Sequence, residues 1–421
     1  MDFSLVLPIL VTAVGLFLLV KLRCFFILHP LTTAKELIVA LQDREARRSF
    51  FLALAGTLGV GNIFGVAAGL MIGGAGSLFW LFLSTFFAMI IKYAETLLVF
   101  DEKIDRGGMS RLLKKVFPSR KGAVMSRLYA TLMLLLALFM GSAMQSAAFV
   151  DVTWQTLHIH PALSSFILVI ILLPCLVGGV SKIEKITEII IPLTTIIYIM
   201  MCLVVVFCNF SRLGEVINMI ISSAFSFEGA LGGGISFLAV KEGFARGILS
   251  NEAGVGTSAM AHARSQGRSP HVAGLFAMCE VFFDSSLLCM LTGFAILLSV
   301  PDVTAFSTPM SLVGYAIYSV LGDFASILLP FVILSFAYAT IICWYFYGRE
   351  CTSLYFPFLN KVYPFAFVFC IVISRAFRSD FLLYTVDVLL LSMSIMTLLA
   401  IIKRAPRIYE ISPHMKTKKP E

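Results

Sequence analysis

The stretch Gly56-Thr57-Leu58-Gly59-Val60-Gly61-Asn62-Ile63-Phe64-Gly65 sets four glycines and an asparagine inside an apolar run. Each glycine costs a helix interior about 1 kcal/mol relative to alanine, so this segment reads as one that opens or, equally when taken alone, as a small-residue face for close helix packing. Opening it at 56–61 frees N–H groups at the start of the following half-helix and C=O groups at the end of the preceding one. The first attract a carboxylate and the second coordinate a small cation. One interrupted helix can therefore hold the acidic end of a zwitterion and a sodium ion side by side. Asn62, just past the interruption, carries an amide that serves either ligand. Gln145 lies in the small-residue run Gly141 to Ala148, which suits a helix lining a cavity or, equally, an interhelical hydrogen bond. Thr340 and Trp344 stand at i and i+4, so a hydroxyl and an indole share one helix face, as a pocket wall or as core packing.

Ionisable groups within apolar segments are costly and are functional candidates by default. Lys92 and Glu95 are three apart and can pair on one face near the end of their segment. Glu280 and Asp284 form an i, i+4 carboxylate pair, and Asp387 sits in the last apolar segment. A proton relay is conceivable for these, but capping amides and tying helices together is the favoured reading. The stretch Gly243 to Ser258, including Asn251 and Glu252, is polar and Gly-rich yet short of Lys and Asp, and reads as a compact gate region. It lacks G-x-x-x-x-G-K-S/T, so it is no phosphate loop. His158 and His160 flank a turn and are read as loop residues. The nine cysteines form no C-x-x-C or His/Cys cluster, which points to neither a disulfide framework nor a zinc site.

The elements that must position these residues follow from composition. The chain has 421 residues, 59% of them hydrophobic and only 13% charged, with a mean hydropathy of +0.96. An ordinary globular domain is about a quarter charged, so a soluble enzyme, a nucleic-acid binder and a disordered chain are excluded. A spanning helix needs about 20 apolar residues. The sequence predicts an all-α integral membrane protein of eleven transmembrane helices, at about 3–20, 50–72, 76–100, 127–154, 161–179, 186–210, 216–240, 271–299, 322–347, 362–378 and 381–402. The first carries Asp2 and no small-x-small cleavage site, so it reads as a retained helix rather than a leader.

Lys and Arg fill 21–48, 103–127, the Lys182/Lys185 turn, 241–268, 349–361 and 403–419, whereas 73–75, 155–161 and 300–321 contain none. Alternate loops thus carry the positive charge, which places the N-terminus outside and the C-terminus in the cytoplasm; Arg375 and Arg378 are a mild exception. The net charge of +8 fits basic loops held against anionic lipid. The seventh segment is interrupted like the second, by Gly229 and Gly232-Gly233-Gly234. Paired Gly-interrupted segments in corresponding places of two halves point to a midplane binding site. Segments two and seven each open a five-span block, and five is odd, so the second block runs in the opposite sense. The expected organisation is an extra N-terminal helix (1–28), a cytoplasmic amphipathic linker (29–49), two inverted five-helix repeats (50–210 and 211–402) and a cytoplasmic tail (403–421). Gly232 and Gly233, with Asn251, Glu252, Glu280 and Asp284, are the candidate gating or structural residues.

These residues resemble the sodium:alanine symporters, also called alanine or glycine:cation symporters. The likeness rests on an ordered set over about residues 50–350: Gly56-Thr57…Gly61-Asn62-Ile63…Gly65-Val66-Ala67, Lys92-Tyr93-Ala94-Glu95, Gly178-Gly179 with Ile183 and Pro192, Ala245-Arg246-Gly247…Ser250-Asn251-Glu252-Ala253-Gly254, Ala261-His262-Ala263, Glu280-Val281-Phe282…Asp284 and Trp344…Tyr347-Gly348. The resemblance implies a leucine-transporter-like fold and import of a small neutral amino acid (alanine, glycine or D-alanine) with sodium. It also implies that Gly59, Val60 and Gly61 hold the substrate's charged ends with Asn62 and Gln145 beside them, and that Thr340 and Trp344 close the pocket. The cation would sit on carbonyls near Ala55 and Leu58 with Thr340 as side-chain ligand. Sodium is then the coupling ion, no cofactor is needed, and the partners are the amino acid and the bilayer, with neither nucleic acid nor an obligatory protein partner. The implied place is the plasma membrane of a prokaryotic cell.

Several positions depart from the family pattern: Val60 replaces a usual Thr, Phe64 an Ala, Ala339 a Ser and Ala147 an Asn. A hydroxyl lost beside a cation site removes a ligand and could favour protons, and Phe64 adds bulk near the interruption. Rival readings are a proton-coupled carrier, a non-transporting amino-acid sensor, a channel, and a membrane enzyme using Asp284 with His262 or His271. No nucleophile or metal motif accompanies the last.

Overall fold

The computed structural model describes residues 5–225, 235–264, 269–377 and 379–412, and every regular element among them is helical. The chain opens with α1 (Val6–Lys21), a short α2 (Phe25–Leu28) and α3 (Pro30–Ala40). Asp43 accepts a hydrogen bond from the Ala46 amide at 2.6 Å and so caps α4 (Arg44–Thr57). There follow α5 (Gly61–Gly73), α6 (Gly76–Asp101), α7 (Gly108–Val116) and α8 (Ser119–Leu136). Through a π-helical stretch at Ala137–Met144, α8 continues into α9 (Gln145–Leu157). Gly179, at φ 71°, turns the chain from α10 (Pro161–Gly178) to α11 (Val180–Cys208). Then come α12 (Leu213–Ala224), α13 (Ile235–Asn251) and α14 (Thr257–His262). A second π-helical stretch, Phe282–Cys289, joins α15 (Pro270–Val281) to α16 (Met290–Ser299). The remaining elements are α17 (Pro309–Leu321), α18 (Asp323–Tyr355), α19 (Tyr363–Val372) and α20 (Ser379–Ile411).

Eight helical stretches among the described residues are long and apolar enough to cross a bilayer, and α1, α17 and α19 are shorter apolar helices. The protein is an all-helical, multi-pass membrane bundle. The expected loop at 300–321 instead contains α17, started by Pro309 and capped by Thr308, whose hydroxyl accepts from the Ser311 amide at 3.1 Å. The expected loop at 241–268 is also largely helical, because α13 runs on to Asn251. Glycine explains the difference. A Cβ on Gly243 would lie 2.4 Å from the Ser77 carbonyl oxygen, and one on Gly247 would lie 2.1 Å from Ser84 Oγ. The two glycines, four apart, let α13 close onto α6 backbone to backbone. Lys403, Arg404 and Arg407 likewise continue α20, which ends at Ile411. Gly229, Gly232, Gly233 and Gly234 lie outside the described residues.

Candidate binding site at the interrupted helix

The helix does break where the glycines stand. α4 ends at Thr57, α5 begins at Gly61, and Leu58 leaves helical geometry at ψ 77°. What the break frees is met by two other helices. At the α4 end, the Leu58 carbonyl accepts from Thr340 Oγ1 at 3.1 Å and the Gly56 carbonyl from Trp344 Nε1 at 3.2 Å. One turn earlier, the Leu52 carbonyl accepts from Cys343 Sγ at 3.1 Å. Thr340, Cys343 and Trp344 therefore form one stripe of α18 laid along the carbonyl end of α4. At the α5 end, the Val60 amide donates to Gln145 Oε1 at 3.3 Å. A Cβ on Gly59 would lie 3.2 Å from both terminal atoms of Gln145 and from Thr340 Oγ1, so glycine is what lets these side chains reach the break. The fully buried Trp344 depends on a glycine too, since a Cβ on Gly141 would fall 2.1 Å from its own.

A cavity of about 350 Å³ opens on this break. Of the residues singled out by sequence, Gly59, Val60, Gly61, Asn62, Gln145 and Thr340 line it, as does Phe64. Trp344 does not line it but backs its wall, and Ala55 and Leu58 are buried behind it. Arg246 and Ser250 also line the cavity, and sequence reasoning passed over them as site residues. Their signal was present: with Leu249 they stand at i, i+3 and i+4 on α13. Arg246 is held by Glu242 at 3.0 Å.

Behind the lining, Asn62 Nδ2 donates to Asp284, and Asp284 Oδ2 also accepts from Ser250 Oγ at 2.7 Å and Ser285 Oγ at 2.6 Å. The first turn of α5 is thus fastened to the π-helical stretch after α15. Glu280 does not share this site. It meets Ser258 and His262, and Lys92 Nζ lies 3.5 Å away. Lys92 therefore does not pair with Glu95, its neighbour three residues on; it donates to Ser258 Oγ at 2.6 Å. Burial drives this choice, because a lysine with no access to water must face a donor-accepting cluster, and α14 and α15 supply one. Asn251 ends α13 by accepting from the Ala253 amide at 3.0 Å, while its amide donates to Ser285 at 3.2 Å. Glu252, at φ 55°, accepts from Thr257 Oγ1 at 2.7 Å. The turn they form packs tightly, for a Cβ on Gly256 would lie 2.6 Å from the Tyr129 hydroxyl.

This arrangement sets backbone ends held by side-chain hydrogen bonds, two amides and a guanidinium around a space for a small molecule. Comparison with known proteins agrees with a carrier. Residues 1–419 match the family described as the sodium:alanine symporter family. The chain is 30% identical over 361 residues to the sodium/alanine symporter AgcS of Methanococcus maripaludis, covering 82% of this chain and 79% of that one. It is 31% identical to a putative sodium/proton-dependent alanine carrier protein, YrbD, of Bacillus subtilis, covering 74% and 69%. A solved Na+-coupled sialic acid symporter, at 11% identity, shares the fold with a TM-score of 0.55 over 97% of this chain and 87% of its own.

Proposed function

The chain belongs to the sodium:alanine symporter family, and on that premise we propose that it imports a small neutral amino acid (alanine, glycine or D-alanine) with sodium by alternating access. The carrying observation is the interruption between Thr57 and Gly61, where the Val60 amide meets Gln145 and the Leu58 carbonyl meets Thr340. The amide end takes the substrate carboxylate, helped by the α5 dipole, with Asn62 and Gln145 beside it. The carbonyl end, Ala55 and Leu58 with the Thr340 hydroxyl, takes sodium. Trp344 fixes that end by holding the Gly56 carbonyl. Binding of both ligands favours closure, because the closed state contacts both at once. In this reading eleven spans are arranged as an N-terminal helix and two inverted five-helix repeats, with segments two and seven broken at matching places. The N-terminus faces outward, the C-terminus lies in the cytoplasm, and the membrane is the plasma membrane of a prokaryotic cell. Asn251, Glu252, Glu280 and Asp284 hold the moving parts together.

One observation supports proton coupling as a second reading: with Ala339 beside it, Thr340 is the single hydroxyl that this part of α18 brings to the cation end. Binding of labelled alanine to the purified protein, with and without sodium, separates the two. Sodium-dependent binding that Thr340→Ala abolishes supports the first reading. Binding indifferent to sodium and to that substitution refutes it.

A further inference from the structure

A second cavity, of about 610 Å³, opens on the flank of the bundle between α3, α6 and the α15–α16 span. Ala34 and Leu37 line it from α3 at i and i+3, with Leu41 at i+7 just past its end, so one face of that helix looks inward. Phe82 and Phe86 line it from α6, and Phe282 from the span opposite, leaving walls that are almost wholly carbon. Phe82 and Phe282 are 39% and 46% exposed, although both belong to helices that cross the membrane. What surrounds them is therefore acyl chain rather than water, and the cavity is a cleft in the lipid-facing surface. The stretch 278–286 that borders it rises about 12 Å at 1.5 Å per residue, most of one leaflet's half of a core roughly 30 Å thick.

Charge completes the picture. Glu36, on another side of α3, lies 3.1 Å from His271 Nε2 at the start of α15, which pins the helix over the cleft by a polar contact. Lys35, next to Ala34, is exposed, as are Arg23 before α2 and Arg44 at the start of α4. All three lie in the basic segment that the charge alternation assigns to the cytoplasmic side, where anionic headgroups attract such residues. A lipid tail gains packing but no transfer from water when it leaves the bilayer for such a cleft, so selection must come from the headgroup. We propose that this cleft is a lipid-binding site that takes one acyl chain of an anionic inner-leaflet phospholipid, with Lys35, next to the lining residue Ala34, meeting its phosphate.

Native mass spectrometry of the full chain, titrated with phosphatidylglycerol or with phosphatidylcholine of the same chains, tests this. The expected result is a one-lipid complex with phosphatidylglycerol at about tenfold lower concentration than with phosphatidylcholine. Ala34→Trp, which fills the cleft from an exposed position, should weaken both at least tenfold. Lys35→Glu should remove the preference while leaving phosphatidylcholine unchanged. Unaltered helix content by circular dichroism and unaltered alanine binding show that each variant is folded. Equal retention of the two lipids by the natural chain, or full retention by folded Ala34→Trp, overturns the proposal.

Discussion

At the residue scale the site depends on small distances that glycine permits. A methyl group on Gly141 would collide with Trp344, 2.1 Å from its Cβ, so Gly141→Ala is expected to destabilise the protein by about 1–3 kcal/mol, the usual cost of overpacking a core. A lowered melting temperature in detergent checks this. Trp344→Phe keeps the ring but loses the bond to the Gly56 carbonyl, which lies 3.2 Å from the indole nitrogen. One neutral hydrogen bond contributes about 1 kcal/mol, so the loss should be modest in stability and larger in sodium affinity, because the freed carbonyl end of α4 is no longer held. Asn62→Ala takes a donor from Asp284 and an amide from the cavity. Alanine binding should weaken tenfold or more, and an unchanged affinity would remove Asn62 from the site. Asn62, Gln145 and Thr340 were legible in the sequence because polar side chains stand out against small or apolar neighbours. Asp284 was legible as a buried carboxylate, but its contacts with Asn62 and Ser250 were not, since those bonds join residues 222 and 34 positions apart.

At the scale of elements, the interruption of α4 and α5 could be read from glycine density alone. The two π-helical stretches, Ala137–Met144 and Phe282–Cys289, could not, because a one-residue insertion in a helical ladder leaves no compositional mark. α17 was missed for a related reason: its lack of Lys and Arg is shared by any outer loop, and Pro309 reads equally as a turn. α13 was cut short because Gly243 and Gly247 look like loop residues until α6 is seen against them. The cluster of Lys92, Ser258, His262 and Glu280 joins α6, α14 and α15. Lys92→Met leaves the buried Glu280 carboxylate with Ser258 and His262 but without its lysine, so a loss of up to about 3–5 kcal/mol is expected. The double variant Lys92→Met/Glu280→Gln should recover part of it in the same thermal melts. A double variant no more stable than the single one would show that the two side chains act independently.

At the scale of the whole molecule, hydrophobic content carried the membrane assignment and the alternation of basic loops the proposed orientation, while helix packing came only from the structure. The cavity runs from the interruption toward Ile72, Pro309 and Leu383; the first two lie next to stretches without Lys or Arg, while Leu383 follows Arg375 and Arg378. Under the proposed topology, with the N-terminus outside, this opening is expected to face outward. Ile72, which is 50% exposed, offers a check: in a background without native cysteines, Ile72→Cys should react with a membrane-impermeant maleimide applied to whole cells. Alanine with sodium should slow the reaction by closing the cavity. Labelling only after the cells are opened would invert the topology.

The most direct test of coupled import is uptake of labelled alanine into proteoliposomes under an imposed sodium gradient, a proton gradient, or neither. The account predicts accumulation above equilibrium with inward sodium alone, abolished by Asn62→Ala. Accumulation driven by protons and indifferent to sodium, or alanine binding with no accumulation under either gradient, would contradict it.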